Sequence, residues 1–168
     1  SALGCYGMSV VTALTAQNTT QVLSIHDVPD LFIKDQLQAV FEDIGVDAVK
    51  IGMLHNADVI RVVAQALKEY RIKKIVLDPV MVAASGAQLL QDEAIATLIQ
   101  ELVPLVGLIT PNFKEAGILL QRDASDDIQE IEHMTKQLCD LGAHAALLKG
   151  GHSSDLNKSD ALVFNSLD

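Results

Sequence analysis

Short, continuously apolar segments alternate with amphipathic segments along this chain of 168 residues. Helical patterns follow Pro29 and Asn56 and recur over 93–102 and near 126–141, and strand-like segments lie at 8–15, 22–25, 47–52, 73–78, 107–110 and 145–149. Strands that are apolar on both faces and joined through helices are typical of a parallel sheet covered on both sides. The alternation therefore predicts a single α/β domain, an open and mostly parallel sheet with helices on both faces in three layers.

The helical segments carry apolar residues at the spacing of one helix face. After Pro29 the predicted buried residues are Ile33, Leu37, Val40, Phe41 and Ile44. After Asn56 they are Val59, Val63, Ala66, Leu67 and Tyr70. Because aromatic residues make up 4% of the chain and apolar residues 49%, we expect a core built mainly from Ala, Val, Leu and Ile.

Charge and cysteine content narrow the class of partner and the compartment. A formal net charge of -10 opposes the phosphate neutralisation on which nucleic-acid binding depends, so we expect no nucleic-acid partner. No apolar run approaches the roughly 18 residues of a membrane span, and no basic-then-apolar leader opens the chain, so we expect no membrane partner and a cytoplasmic location. Cys5 and Cys139 lack metal-ligand spacing, and we expect both to be buried, reduced thiols.

Polar residues, with their immediate neighbours, follow the ends of the predicted strands. They are Gln17 and Asn18, Gly52 and Met53, Asp78 and Pro79, Asn112 and Glu115, and Lys149 with Gly150 and Gly151. In open α/β sheets, ligands bind beyond the carboxyl ends of the strands. These residues are therefore predicted to lie along one edge of the sheet and to include the functional site.

Each of these residues also has a purely structural interpretation. Asn112 and Glu115 have the spacing of a capping box at a helix start, and Asp78 could be a turn residue before Pro79. Gln17 could bond loop backbone, and Met53 could fill the core. The five histidines have no metal-ligand spacing, so we assign them no metal, and the GxGxxG and Walker A patterns are absent from the sequence.

The combination of these residues favours phosphoryl transfer. The charge on a transferring phosphate must be met by Mg²⁺ and by cationic side chains. Asp and Glu side chains can hold Mg²⁺ directly or through water, and a Lys at a strand end can neutralise phosphate oxygens. Asp78, Glu115 and Lys149 would supply these groups at one edge.

Five sequence segments occur in the order SALGCYGMSVVTALTAQNT, KIGML, VLDPVMVAASG, LITPNFKEA and LLKGGH. Together they closely resemble the hydroxymethylpyrimidine/phosphomethylpyrimidine kinases of thiamin biosynthesis, within the ribokinase-like superfamily, over essentially the whole chain. The resemblance implies a ribokinase-like fold, a homodimer, and ATP and Mg²⁺ as cofactors. The implied reaction is ATP-dependent phosphorylation of 4-amino-5-hydroxymethyl-2-methylpyrimidine and then of its monophosphate.

The resemblance also implies a role for individual residues. Gln17 would hydrogen-bond the aminopyrimidine, Met53 would contact its ring, and Val80 would line the same pocket. The remaining roles would be metal binding by Asp78 and Glu115, and binding of the ATP phosphates or their metal by Asn112 and Lys149.

The two ends of the chain differ from the family pattern. The glycine-rich first strand and loop are missing, as is the Gly-Thr-Gly-Cys anion hole that should follow the last residue. We therefore expect a fragment or portion of a longer enzyme, with no catalytic residue within 1–168 and no activity by itself. Two alternatives remain open, a pyridoxine or pyridoxal kinase of the same superfamily and a noncatalytic ligand-binding or assembly module.

Overall fold

The computed structural model describes residues 4–82, 89–123, 128–150 and 161–164. Its strands are β1 (Ala13–Gln17), β2 (Val22–Asp27), β3 (Val49–Ile51), β4 (Ile75–Leu77), β5 (Leu108–Ile109), β6 (Ala145–Leu148) and β7 (Ala161–Phe164). Its α-helices are α1 (Asp30–Asp43), α2 (Ala57–Glu69), α3 (Asp92–Thr97), α4 (Phe113–Leu120) and α5 (Ile128–Asp140). A π-helical turn (Leu98–Leu102) and a 3-10 turn (Val103–Leu105) continue α3.

Five strands form the main sheet in the order β3-β4-β5-β6-β7. The first four strands run parallel to one another, whereas β7 pairs antiparallel to β6. Helical segments connect the parallel strands, as parallel pairing requires, because a short turn cannot return the chain in the same direction. The predicted α/β architecture is confirmed, and the antiparallel strand β7 is an addition that the sequence analysis did not predict.

The two faces of the parallel sheet differ in burial. Ile51, Leu77, Ile109 and Ala146 lie in register across the strands and are buried in one core with the apolar residues of the helices. Lys50, Val76 and Leu108 lie in register on the opposite face, where they are exposed or half-buried. The described helices bury the first face, and on the second face Ala145 of β6 is buried as well.

The first two strands form a separate antiparallel hairpin, which corrects the expectation that they belong to the main sheet. Their connection is too short for a parallel crossover, so antiparallel pairing is the available solution. The Asn18 side chain closes the turn by accepting hydrogen bonds from the backbone N–H groups of Thr20 and Gln21, each at 2.9 Å. The predicted strand 8–15 also begins later, at Ala13.

Two contacts fix the base of the hairpin. The Gln36 side chain accepts from the Val11 N–H at 3.0 Å and donates to the Val11 carbonyl at 3.1 Å. The Thr12 hydroxyl donates to the Met53 carbonyl at 2.8 Å. The hairpin is therefore tied to α1 and to the segment after β3, although its strands pair only with each other.

Most predicted helix faces are confirmed. Ile33, Leu37, Val59, Val63, Ala66 and Leu67 are buried, and Val40, Phe41 and Tyr70 are half-buried. Ile44 is 62% exposed, contrary to expectation, because α1 ends before it and leaves it as the C-terminal cap. Cys139 is buried as predicted, whereas Cys5 is exposed. None of the helices in the described ranges is both long and apolar enough to span a bilayer.

Candidate functional site

The carboxyl end of β4 places Asp78 at the centre of a polar cluster. The Asp78 N–H donates to the Ile51 carbonyl at 2.8 Å, which continues the pairing of β4 with β3 by one residue. The Val80 N–H donates to the Asp78 carbonyl at 2.8 Å and tightens the turn that follows. These backbone bonds fix the position of the Asp78 carboxylate, whose side chain is 19% exposed.

Two lysines contact the two oxygens of this carboxylate. Lys149 Nζ lies 2.7 Å from Asp78 Oδ1, and Lys50 Nζ lies 3.3 Å from Asp78 Oδ2. The Lys149 backbone is itself fixed, since its N–H donates to the Pro111 carbonyl at 2.8 Å and it forms a parallel bridge with Asn112. Charged side chains from β3 and from the carboxyl ends of β4 and β6 thus lie together at the edge of the sheet where ligands of open α/β sheets bind.

Asn112 and Glu115 form the capping box of α4. The Asn112 side-chain oxygen accepts from the Glu115 N–H at 2.9 Å, and Glu115 Oε2 accepts from the Asn112 N–H at 2.8 Å. The structural interpretation of this pair is therefore confirmed. This capping role is compatible with ligand binding, because the positive end of the α4 dipole faces the same edge and favours anions there.

Glu115 is an unusual capping residue because it is buried, with 4% of its surface exposed. Burial raises the pKa of its carboxyl above the ordinary value of 4.5, and the negative charge of Asp78 acts in the same direction. Hydrogen bonds from the backbone N–H groups of Asn112 and Met81, and the Lys149 ammonium, lower the pKa, but by less than burial and Asp78 together raise it. A cation bound beside this carboxyl would favour its charged form.

The donor set fits Mg²⁺ better than a metal held by protein ligands alone. The described residues contain no group of three or more His, Cys, Asp or Glu side chains that could hold a metal ion. Asp78 and Glu115 nevertheless supply two carboxylates close enough to influence each other's charge. Mg²⁺ is commonly held by one or two carboxylates together with waters and substrate phosphates, so this edge could bind a metal–nucleotide complex.

The three residues expected at the pyrimidine lie in two different places. Val80 and Met53 are half-buried and follow β4 and β3. Gln17 is the last residue of β1 in the hairpin, and it is exposed. The expectation that Gln17 and Asn18 follow a strand of the main sheet is therefore wrong, and any contact of Gln17 with a ligand would be made from the hairpin.

The sequence analysis missed Lys50. A lysine inside the apolar segment 47–52 was the available signal, since a strand covered on both faces would exclude a charge. Gly150 follows Lys149 as expected, whereas Gly151 and His152 lie outside the described residues. His55 has a structural partner, because its Nδ1 lies 2.6 Å from the Leu89 carbonyl.

Comparison with known proteins gives independent evidence on the family and the fold. The sequence model of the phosphomethylpyrimidine kinase family matches residues 1–166. The hydroxymethylpyrimidine/phosphomethylpyrimidine kinase of Escherichia coli is 46% identical over 96% of this chain and 61% of its own length. The thiamine biosynthesis bifunctional protein ThiED of Geobacter sulfurreducens is 51% identical over 89% of this chain and 30% of its own length.

Solved structures agree with the sequence relatives. The crystal structure of phosphomethylpyrimidine kinase from Clostridium difficile is 41% identical, with a TM-score of 0.88 over 99% of this chain and 71% of that one. Pyridoxal kinase from Staphylococcus aureus, solved with AMP-PCP and pyridoxal, is 27% identical, with a TM-score of 0.84 over 98% of this chain and 59% of that one. The fold is that of the ribokinase-like kinases.

The chain spans less than two thirds of the length of the two curated relatives described above. Its own match is nevertheless nearly complete, since the family model covers 166 of its 168 residues. The order of the strands, the charged edge and these similarities lead to one conclusion. The chain belongs to the phosphomethylpyrimidine kinase family.

Proposed function

We propose that the protein containing this chain is an ATP-dependent kinase for 4-amino-5-hydroxymethyl-2-methylpyrimidine and its monophosphate. The observation that carries the proposal is the cluster of Asp78, Lys149 and the α4 capping box at one edge of the sheet. The E. coli relative, 46% identical, is named for phosphorylation of these pyrimidines, and the related S. aureus kinase was crystallised with an ATP analogue. Both facts support the proposal.

In this proposal the charged edge binds the phosphates of ATP and their metal. Asp78 and Glu115 hold Mg²⁺ directly or through water, while Lys149 and the amino end of α4 at Asn112 attract phosphate oxygens. Mg²⁺ supplies neutralisation of the charge that develops on the phosphates during transfer. The chain's own contribution is to position these groups, because Asp78 and Lys149 are fixed by backbone hydrogen bonds to neighbouring strands.

The pyrimidine is proposed to bind beside this edge. Met53 and Val80 supply apolar contacts for a flat ring, and Gln17 pairs with its amino and ring nitrogen groups from the hairpin. The bond between Thr12 and Met53 holds the base of the hairpin next to this pocket. The chain spans 61% of the E. coli relative, and we propose that other parts of the whole protein complete the pocket and are needed for activity.

Substrate profiling of the full-length protein tests the proposal directly. We expect ATP- and Mg²⁺-dependent phosphorylation of hydroxymethylpyrimidine at a higher kcat/KM than of pyridoxine or pyridoxal. The pyridoxal kinases deserve this comparison because their fold is the same, although the S. aureus enzyme is 27% identical and the C. difficile phosphomethylpyrimidine kinase 41%. Ligand binding without phosphorylation of any of these compounds would favour the noncatalytic alternative.

Gln17→Ala provides a sharper test of the substrate assignment. Loss of the amide removes a specific hydrogen bond to the pyrimidine, and such bonds contribute strongly to discrimination between rings. The selectivity for hydroxymethylpyrimidine over pyridoxine should fall by about tenfold, while the Kd for ADP stays the same. Gln21→Ala, at an exposed position in the same hairpin turn, is the matched control. Unchanged selectivity in Gln17→Ala would refute its role.

Two further properties are proposed with the function. The kinase is a homodimer, consistent with the exposed apolar side chains of the first 44 residues. It is also proposed to be cytoplasmic, which accords with the bacterial origin of the E. coli relative.

A further inference from the structure

Asp78 has each of its carboxylate oxygens engaged by a different lysine. Lys149 contacts Oδ1 at 2.7 Å, and Lys50 contacts Oδ2 at 3.3 Å. Lys149 has an assigned task at the ATP phosphates under the proposed function, whereas Lys50 has none. The question is whether Lys50 is a solvated surface lysine or a working part of the site.

The position of Lys50 argues against an incidental surface charge. In β3, Ile51 points into the core and Lys50 lies on the opposite face, in register with Val76. Lysines are common on edge strands, where they discourage pairing with other chains, and β3 is at the edge of the described sheet. The Lys50 ammonium, however, reaches across to the neighbouring strand and contacts Asp78, although 67% of its side chain is exposed.

Lys149 faces two competing anionic partners once nucleotide is present. Its 2.7 Å contact with Asp78 is a charge-assisted hydrogen bond, and phosphate oxygens would attract the same ammonium. If Lys149 turns toward phosphate, Asp78 loses its closest cation while remaining 19% exposed. Lys50 is then the remaining cation that the structure places on this carboxylate.

We propose that Lys50 is a positioning residue that holds Asp78 Oδ2, so that the carboxylate keeps its orientation when Lys149 turns from Asp78 to nucleotide phosphate. This inference rests on the proposed function, since it needs phosphate at Lys149. Because the two lysines contact different oxygens of Asp78, Lys50 can hold Oδ2 while Lys149 leaves Oδ1.

Calorimetric titration of the full-length protein with ADP, in Mg²⁺ and in EDTA, tests the inference without measuring activity. We expect Lys50→Gln to weaken ADP binding in Mg²⁺ roughly two- to fivefold, as for a largely exposed ion pair. In EDTA its Kd should equal that of the wild type, because Asp78 acts through the metal. Lys50→Arg should restore binding in Mg²⁺. Lys73→Gln, an exposed lysine at the opposite end of the sheet, should bind normally.

A double-mutant cycle with Asp78→Asn decides whether Lys50 acts through Asp78. In the Asp78→Asn background, Lys50→Gln should cause no further loss of ADP affinity. A loss that persists in that background, or one that is equal in Mg²⁺ and EDTA, would identify a direct phosphate contact and overturn the positioning role. Wild-type ADP affinity in the Lys50→Gln variant would also overturn the positioning role and would leave Lys50 as an ordinary lysine of an edge strand. A wild-type protein that fails to bind ADP would overturn the proposed function as well.

Discussion

At the scale of single residues, Glu115 is both a capping residue and a buried carboxyl. Its carboxylate closes the capping box with Asn112, and the same carboxylate is buried beside Asp78 and Lys149. A solvent-exposed capping residue would not incur the loss of hydration that raises the pKa of this group. The capping geometry therefore fixes the carboxyl in place, while burial raises its pKa.

Glu115→Gln should change the pH dependence of stability in a defined direction. The carboxyl is protonated in both states well below 4.5, its ordinary pKa. As the pH rises from 4.5 through the raised pKa of the folded state, the unfolded chain releases its proton first, and the free energy of unfolding falls. The glutamine variant has no proton to release. Its stability relative to wild type should therefore rise over this window and level off above it, apart from a pH-independent offset.

Urea denaturation between pH 4 and pH 8 measures this difference. Glu132→Gln on the exposed side of α5 controls for the loss of one negative charge from the whole protein. A difference in the free energy of unfolding that stays flat, or that falls as the pH rises, would mean that Glu115 is not held at a raised pKa.

The sequence predicted most of this site because strand ends can be identified from local patterns. Asp78, Asn112, Glu115 and Lys149 each follow an apolar segment, and parallel strands bring such ends together. Lys50 was missed because its contact with Asp78 depends on a side chain that reaches from one strand to the next. Gln17 was assigned to the wrong sheet because the apolar pattern of a strand does not indicate which other strand it pairs with.

At the scale of elements, glycines after helices decide how the chain returns to the sheet. Gly45, after α1, and Gly142, between α5 and β6, both adopt positive φ, at 82° and 115°. They differ in surroundings, since a Cβ on Gly45 would meet nothing within 4 Å, whereas one on Gly142 would lie 3.2 Å from Pro104 Cα and Cγ. The Gly142 turn thus sets a close approach between α5 and the 3-10 turn.

The pair gives a matched test of that close approach. Gly45→Ala should destabilise the protein by about 1–2 kcal/mol, the usual penalty for a left-handed residue with a Cβ. Gly142→Ala should add the repulsion of an overpacked contact and lose about 1 kcal/mol or more beyond that. The free energy of unfolding from urea denaturation measures both. Equal losses would show that Pro104 moves away freely and that the approach carries no strain.

The elements themselves were predictable to different degrees. The helices α1, α2 and α5 have strong apolar periodicity, and their positions were predicted closely. The segment 93–102 reads as one helix, but it changes to a π-helical turn at Leu98 and to a 3-10 turn at Val103. Pro104 lacks the N–H that an α-helix would bond to the Gln100 carbonyl, so the α-helical pattern cannot continue through it. Strand β7 follows a polar segment and has only four residues, so its pairing with β6 could be found only from the fold.

At the scale of the whole molecule, the exposed apolar side chains are unevenly distributed. Among described residues, nine large hydrophobic side chains are exposed, and seven of them precede residue 45: Tyr6, Val11, Leu14, Leu23, Leu31, Phe32 and Ile44. Two of these are in the hairpin, where Leu14 is 53% and Leu23 66% exposed. A two-stranded hairpin is only marginally stable in water by itself, so a packing partner would stabilise it. We expect a second copy of the protein to supply that partner.

The double variant Leu14→Gln/Leu23→Gln tests this arrangement in the full-length protein. Because both side chains are exposed in the single chain, their replacement should leave the fold intact, with a circular dichroism spectrum like that of the wild type. If they are buried between two copies, the loss of their apolar contacts should raise the dimer dissociation constant at least about tenfold, since a buried leucine contributes about 1.5–3 kcal/mol. Light scattering after gel filtration, over a range of concentrations, measures the molar mass.

Ile118→Gln, an exposed position on α4, should leave the dimer unchanged. A double variant that dimerises as tightly as the wild type would place the interface elsewhere.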